Sequence, residues 1–345
     1  MTQDHKIAAK LKIPIWLDCD PGHDDAVAIL LACFLPEFEL LGISTSYGNA
    51  AAEKTAYNAL SLLTAMDKHN QIPVYAGAQK PWVRDAIYAP DIHGHSGLDG
   101  TTLLPDPKAP LSTEKTYIQA MSDAIEAYPG SISIVSTGSL TSTATLLRER
   151  PCLKSKIKFI SIMGGGICVG NRNENETAEF NIWIDPQAAN FVLEDPDLSR
   201  KCILVPLDLT HKAIATKLVE QRVLSDGHSN LRKLFYDLFI FFGVSYEHAQ
   251  GFENGAPVHD PLTLFPLLQF YHMKKPEEIG FCYRRFDLKA ITQERSPDLG
   301  QTTVMKEYSQ DSNEGTIVGF DLNFDYFWNQ VYYALDVASQ VSTIE

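Results

Sequence analysis

Short, nearly continuous apolar runs alternate with helical stretches from residue 13 to residue 208, and this alternation most constrains the fold. Strands covered on both faces have this composition, which is typical of parallel sheets. The predicted strands are 13–18, 39–45, 72–77, 132–137, 159–164 and 202–208. Helical patterning separates them at 24–34, 52–66, 114–127, 141–150 and 185–194. The order predicts an α/β fold: a mostly parallel central sheet flanked by helices, with right-handed crossovers.

The C-terminal half reads as a helical insertion followed by more sheet. Helical patterns cover 217–224, 230–249 and 260–271, strands are predicted at 279–288 and 315–322, and an amphipathic helix closes the chain at 324–339. The length permits one large domain or two smaller ones. Since no linker or repeat interrupts the chain, we expect a single domain over 1–345, with a flexible N-terminal extension over 1–12. The long Pro-, Gly- and His-rich segment 80–112 is expected to form a wall of a site.

Polar clusters follow several predicted strands. The stretch LDCDPGHDDA (17–26) follows the first strand, and SYGNA, STGSL and MGGG follow the second, fourth and fifth. In open parallel sheets, ligands bind outside the carboxyl ends of the strands. These clusters therefore predict a functional site at one edge of the sheet.

The first cluster places four carboxylates, Asp18, Asp20, Asp24 and Asp25, within eight residues. Carboxylates in a first helical turn gain about 0.3–1 kcal/mol each, which accounts for one or two of them. Clustered carboxylates otherwise need a proton, a basic side chain or a metal. Because no Lys or Arg lies between Lys12 and Lys54, the pattern indicates a hard divalent cation, Ca²⁺ or Mg²⁺.

Composition limits the partners. The formal charge is −14, with 29 basic and 43 acidic residues, which argues against nucleic acid and anionic membranes. The six scattered cysteines are expected to be reduced. No secretory signal or membrane span is visible, so we expect a cytoplasmic location, with the nucleus as the alternative. A small-molecule substrate is expected.

The stretch DCDPGHDDAVAILLA resembles the N-terminal signature of the inosine–uridine preferring nucleoside hydrolases. The resemblance continues through TSYGNA, IHGHSG, STGSLTS, MGGG, AEFNIWIDPQAA, DLTH and VHDP, over roughly residues 13–340. It implies a Rossmann-like nucleoside hydrolase fold, one Ca²⁺ per subunit, a homodimer or homotetramer, and hydrolysis of ribonucleosides to ribose and free base. The acidic composition and N-terminal extension are similar to those of fungal uridine nucleosidases, which favours uridine, and then cytidine, in nucleoside salvage.

The resemblance also implies roles for individual residues. Asp20 would contact the metal and act as general base, and the further metal ligands would be Asp25, the main-chain carbonyl of Thr137, and Asp260. Oxygen ligands suit Ca²⁺, which accepts about six to eight of them. The residues implied for ribose binding are Asp24, Asn49, Met163, Asn171, Glu179 and Asn181.

The leaving base is expected to need its own partners. His259, next to Asp260, is the candidate acid, and His93 is a second residue on the base side. Phe242 and Tyr246 lie one helical turn apart and therefore share a face, which by itself indicates core packing. The resemblance implies that side chains of this helix contact the base, which makes both residues candidate base contacts. Phe242 stands where purine-accepting members of the family tend to carry Tyr, which argues against broad base specificity.

Three alternatives stay open. The first is a broad purine and pyrimidine nucleoside hydrolase. The second is an aspartyl phosphatase with Asp18 as its nucleophile, although Pro21 follows the second Asp where that class carries Thr or Val. The third is a metal- and nucleoside-binding protein without turnover, against which the presence of Asp20 argues.

Overall fold

A nine-stranded sheet runs through the computed structural model, which describes residues 12–344. The strand order is β3-β2-β1-β4-β5-β6-β9-β7-β8. All pairs from β3 to β9 are parallel, whereas β7 is antiparallel to both β9 and β8. The strands are β1 Ile13–Cys19, β2 Phe38–Thr45, β3 Val74–Ala76, β4 Ile132–Ser136, β5 Ile157–Met163, β6 Cys202–Val205, β7 Cys282–Ala290, β8 Thr302–Tyr308 and β9 Thr316–Asp321. The predicted α/β class with a mostly parallel sheet is confirmed.

Helices cover both faces of this sheet. They are α1 His23–Phe34, α2 Ala52–Ala65, α3 Pro90–His93, α4 Tyr117–Ala127, α5 Thr141–Glu149, α6 Phe180–Ile184, α7 Pro186–Leu193, α8 Pro196–Ser199, α9 Leu207–Thr210, α10 Lys217–Leu224, α11 Asn230–Gln250, α12 Leu264–Phe270, α13 Pro276–Ile279 and α14 Phe324–Ser339, with 3-10 helices Pro151–Lys156 and Asp260–Thr263. One hydrophobic core packs α1, α2, α11 and α14 against the sheet, and a second packs α4, α5 and α7 against the other face.

Several predicted boundaries need correction. The strand predicted at 202–208 ends at Val205, because Pro206 begins the turn into α9. The helix predicted at 260–271 is a 3-10 turn followed by α12, with Pro261 in the first turn. Strand β8 and the short helix α6 were missed. The extension expected over 1–12 lies, apart from Lys12, outside the described residues.

The adjacency of β2, β1, β4 and β5 brings the polar loops together. Each of these strands ends at the same edge of the sheet, followed respectively by the segments 46–49, 20–22, 137–139 and 164–166. The backbone N–H of Thr137 donates to the carbonyl of Asp18 (2.9 Å), which joins the loop after β4 to the end of β1. Within the described part of the chain, no helix is long and apolar enough to cross a membrane.

Candidate active site

Three buried carboxylates from distant parts of the chain meet at this edge. Asp24 and Asp25 lie in the first turn of α1, and Asp260 begins the 3-10 helix Asp260–Thr263. One carboxylate oxygen from each lies within 4.8 Å of the others. Burial raises the pKa of all three, and the charges of the neighbouring carboxylates raise those of Asp24 and Asp260 further. Such a group is costly unless a positive charge compensates it.

Asp20 lies beside this group with one oxygen unpaired. Its Oδ2 accepts a hydrogen bond from the backbone N–H of Asn49 (2.7 Å), whereas its buried Oδ1 has no partner in the described chain. A Cβ atom on Gly48 or Gly138 would collide with this carboxylate, so both loops need glycine to approach it. Burial, and then the charge of Asp25, raises its pKa well above the ordinary value. The unpaired Oδ1, which lies buried between these two glycine loops, can bind a cation or accept a proton.

Neutral polar groups hold the acidic group in place. Thr137 Oγ1 donates to Asp25 Oδ1 (2.8 Å), and Asn49 Nδ2 donates to Asp25 Oδ2 (3.0 Å). Asn181 Nδ2 donates to the main-chain carbonyl of Thr137 (2.8 Å). None of Asp20, Asp24, Asp25 and Asp260 forms an ion pair with a Lys or Arg of residues 12–344. A dense set of oxygen donors without a cationic side chain fits a hard divalent cation.

A cavity lies above the acidic group. All six residues predicted to bind ribose line it, together with Thr137, Asp260, His259, His93 and Tyr246. Asp20 and Asp25 do not line it: they lie buried and bonded to the lining residues Asn49 and Thr137.

Glu179 is fixed by the backbone around it. As the N-cap of α6, its carboxylate accepts from the N–H groups of Asn181 (2.8 Å) and Ile182 (3.1 Å), and also from that of Gly165 (2.9 Å). Burial raises the pKa of Glu179 to about 7, although these N–H groups and the charge of Arg172 act in the opposite direction. Three of its four lone-pair sites are thus used, and one remains for a ligand.

A histidine and a tyrosine of the cavity lining form a hydrogen-bonded pair. His259 Nε2 bonds the Tyr246 hydroxyl (2.8 Å), and His259 Nδ1 bonds Thr210 Oγ1 (2.7 Å). Burial, and then the neighbouring His211, lowers the pKa of His259 well below its ordinary value. Both ring nitrogens of His259 therefore have partners within the protein.

The other predicted base contacts differ in position. His93, carried by α3, lines the cavity and bonds His23 through the Nδ1 atoms of the two rings (3.2 Å). Phe242 does not line the cavity. Its side chain is 1 % exposed, stacks on His23 and packs edge-on against Tyr246. Phe242 therefore supports the wall from behind.

Asp18, the nucleophile of the phosphatase alternative, faces elsewhere. Its two carboxylate oxygens accept hydrogen bonds from Ser44 Oγ (2.7 Å) and Thr143 Oγ1 (2.8 Å). Burial raises its pKa to about 6, against the effect of these hydroxyls. Both oxygens of Asp18 are therefore held by hydroxyl groups, unlike the unpaired Oδ1 of Asp20, and this disfavours a nucleophilic role for Asp18.

Two polar residues of the cavity were missed from the sequence, Arg172 and Gln250. Gln250 follows Tyr246 by one turn of α11, and the same spacing that paired Tyr246 with Phe242 would have identified it. Arg172 directly follows the predicted ribose residue Asn171, but no periodicity distinguishes it in its loop.

Comparisons with known proteins identify relatives of the whole chain. Residues 15–329 match the family described as inosine-uridine preferring nucleoside hydrolase. The chain is 57 % identical over 335 residues to the uridine nucleosidase of Saccharomyces cerevisiae, covering 96 % of this chain and 98 % of that protein. It is 40 % identical over 260 residues to the pyrimidine-specific ribonucleoside hydrolase RihA of Salmonella newport, covering 75 % and 80 %.

Solved structures share the fold. A purine-preferring ribonucleoside hydrolase from Gardnerella vaginalis superimposes with a TM-score of 0.82 at 25 % identity, covering 95 % of this chain and 100 % of that one. The plant nucleoside hydrolase PpNRh1 gives a TM-score of 0.80 at 23 % identity, covering 94 % and 99 %.

Proposed function

The chain belongs to the inosine-uridine preferring nucleoside hydrolase family and hydrolyses N-glycosyl bonds of nucleosides. We propose that it is a calcium-dependent hydrolase of pyrimidine ribonucleosides and that uridine is its preferred substrate. The meeting of Asp24, Asp25 and Asp260 under a cavity lined by amides carries the proposal. The names of the relatives that are 57 % and 40 % identical, a uridine nucleosidase and a pyrimidine-specific hydrolase, support the pyrimidine preference.

The residues proposed to hold the ion are Asp20, Asp25, Asp260 and the carbonyl of Thr137. Their oxygens are buried, and the unpaired Oδ1 of Asp20 supplies a free ligand atom. When bound, Ca²⁺ would supply a charge that lowers the pKa of a coordinated water and would attract hydroxyl oxygens of the sugar. Asp24 completes the three-carboxylate group and also lines the cavity, so we assign it a ribose hydroxyl.

The sugar is proposed to lie against the amide-rich wall. Asn49, Asn171 and Asn181 offer donors and acceptors to its hydroxyls, and Met163 packs beside it. Glycosidic bond cleavage develops positive charge on the ribose, as in an oxocarbenium ion. The fixed carboxylate of Glu179 lies in this wall and stabilises that charge without having to reorganise.

Asp20 is proposed as the general base. Asn49 holds its Oδ2, which leaves Oδ1 to accept the proton of the attacking water as the bond to the base breaks. Tyr246 and His259 are hydrogen-bonded to each other in the cavity lining, and a proton is proposed to reach the departing base along this bond. The expected homodimer or homotetramer and the cytoplasmic location remain predictions.

The test is a substrate panel with metal control. Reducing-sugar release is measured with uridine, cytidine, inosine and adenosine, first as purified, then after EGTA treatment, then after adding back Ca²⁺ or Mg²⁺. We expect uridine to have the highest kcat/KM, EGTA to abolish turnover, and Ca²⁺ to restore it. Comparable rates on inosine would favour the broad-specificity alternative, and full activity in EGTA would refute the metal site. Tight nucleoside binding without any ribose release would identify the non-catalytic alternative.

A further inference from the structure

Arg172 is the only Lys or Arg among residues 12–344 that lines the cavity. Its side chain is 18 % exposed, and no role follows for it from the assignments above. The other charged groups of the lining, Asp24, Glu179 and Asp260, are acidic. A permanent positive charge at this position can stabilise a ligand that becomes negative during the reaction.

Hydrogen bonds fix the conformation of the loop that contains Arg172. The backbone N–H of Arg172 donates to the carbonyl of Ala178 (2.9 Å), and Ala178 pairs in turn with Gln301. Asn173 adopts a positive φ of 68° and bonds Thr177 and the carbonyl of Leu299 through its side chain. The position of Arg172 is therefore fixed by a short hairpin that is itself anchored to the C-terminal part of the chain.

The guanidinium group has fixed neighbours and spare donors. Its Nη1 donates to the carbonyl of Asn171 (2.9 Å), its Nη2 lies 3.5 Å from the exposed carboxylate of Asp91, and the group lies 5.2 Å from the centre of the Phe180 ring. A guanidinium has five N–H donors, and these contacts use two of them. Donors are therefore left for a ligand in the cavity.

The charge of Arg172 affects the pKa values of residues proposed to contact the base and of a residue proposed to contact the sugar. It adds to the effect of burial in lowering the pKa of His93, and it opposes the effect of burial on the pKa values of Tyr246 and Glu179. All three residues line the same cavity. The guanidinium also contacts Asp91 of α3, the helix that carries His93, and Phe180 of α6, the helix that carries Asn181.

We propose that Arg172 donates a hydrogen bond to a ring carbonyl oxygen of the pyrimidine and stabilises the base as it leaves. This inference rests on the proposed function. When the C1′–N1 bond breaks, its electron pair passes to N1 and is delocalised onto the carbonyl oxygens of the base. Water oxygen bonds to C1′, the water proton goes to Asp20, and the base anion later takes up one proton, which gives ribose and neutral pyrimidine.

The chemistry of Arg favours pyrimidines over purines. A guanidinium stays protonated at any ordinary pH, so it stabilises an anion but does not protonate a ring nitrogen. A pyrimidine nucleoside offers a carbonyl next to its glycosidic nitrogen. Adenine has no ring carbonyl, and the carbonyl of hypoxanthine lies at C6, which is not adjacent to the glycosidic nitrogen N9. Charge-assisted hydrogen bonds of this kind strengthen as negative charge develops on the acceptor.

The test compares Arg172→Gln with a matched control, Arg84→Gln. Arg84 is 15 % exposed, pairs with the exposed Glu294 (3.3 Å), lies 5.2 Å from the Trp183 ring and bonds a main-chain carbonyl, yet it does not line the cavity. Both variants and the wild-type enzyme, with Ca²⁺ present, are assayed with uridine and with p-nitrophenyl riboside. The nitrophenolate is a stable anion and lacks the ring carbonyl.

We expect Arg172→Gln to lower kcat on uridine by about 10²–10³-fold, the effect typical of losing one donor to a developing oxyanion, with a smaller change in KM. On p-nitrophenyl riboside it should lose less than about 5-fold, and Arg84→Gln should resemble wild type on both substrates. Equal losses on the two substrates, or no loss on uridine, would overturn the inference. A wild-type enzyme that hydrolyses inosine but not uridine would instead refute the proposed function, and this inference with it, before any variant is made.

Discussion

Replacing Asp20 by Asn is the sharpest test of the proposed chemistry. Asn has nearly the same shape, and its amide oxygen can still accept the N–H of Asn49 in place of Oδ2 (2.7 Å). The unpaired Oδ1 becomes an NH₂ group, which neither accepts a proton nor binds a cation. The change therefore removes the proposed base and one metal ligand with little effect on packing.

The size of the effect follows from general base catalysis. A positioned base contributes about 10²–10⁴-fold to the rate, and each tenfold loss corresponds to about 1.36 kcal/mol of barrier, so kcat should fall by the equivalent of about 3–5 kcal/mol. Folding should not suffer in the metal-free protein. Burial and the charge of Asp25 both disfavour ionised Asp20, and a neutral amide avoids both costs.

The assay is kcat and KM on uridine with saturating Ca²⁺, together with the melting temperature in EGTA. Asp18→Asn is the matched control, because Asp18 is equally buried and only two residues away, yet both of its carboxylate oxygens bond hydroxyl groups, those of Ser44 and Thr143. Hydroxyl groups can reverse to accept from an amide, so this variant should keep kcat within about 5-fold. An unchanged kcat for Asp20→Asn, or an equal loss for Asp18→Asn, would refute the assignment of the base.

Further substitutions test the metal ligands. Thr137→Val removes the hydrogen bond to Asp25 but keeps the proposed carbonyl ligand, so activity should fall by less than about 10-fold. Asp25→Asn, in contrast, should abolish Ca²⁺-dependent turnover. Calcium titrations of activity distinguish the two variants. Gly138→Ala should weaken calcium binding and lower kcat, because the new methyl group collides with Asp20. The control Gly243→Ala should retain activity, because its methyl group would meet only the side-chain oxygen of Glu220, at 3.8 Å. Normal calcium affinity in Gly138→Ala would contradict the proposed close packing of the glycine loops around Asp20.

Sequence pattern was sufficient for the parallel part of the fold and insufficient for its antiparallel edge. The strands β1, β4 and β6 are buried along their whole length, so their apolar runs stand out against the helical stretches. Strand β8 (TTVMKEY) lies at the edge of the sheet with most of its side chains exposed, and its mixed composition gave no apolar run or regular alternation. Helix α6 spans only five residues, which is too short for helical periodicity to be read.

The place of the site was predicted from strands that lie side by side, whereas the roles of its individual residues were assigned by the resemblance to the family. Asn49 and Thr137 belong to loops whose convergence follows from the order of β2, β1 and β4. Asp260 was assigned by resemblance alone, since no local pattern predicts that a residue so far along the chain packs beside α1. The buried position of Phe242 depends on the stacking of His23 against it, a contact that helix spacing cannot reveal.

The acidic group also couples the stability of the fold to the proposed ion. Asp24 accepts a hydrogen bond from the backbone N–H of His259 (3.3 Å), so the first helix and the segment before Asp260 meet at the site. Without a cation, the neighbouring carboxylates disfavour this contact through desolvation and repulsion. A ligand that binds only the folded protein at 1,000 times its Kd stabilises it by about 4 kcal/mol. We therefore expect Ca²⁺ to raise the melting temperature of the EGTA-treated protein by several degrees, and to raise that of Asp260→Asn much less. A melting temperature that is indifferent to Ca²⁺ in the wild-type protein would mean that the carboxylates find their compensation elsewhere, as protons shared among them.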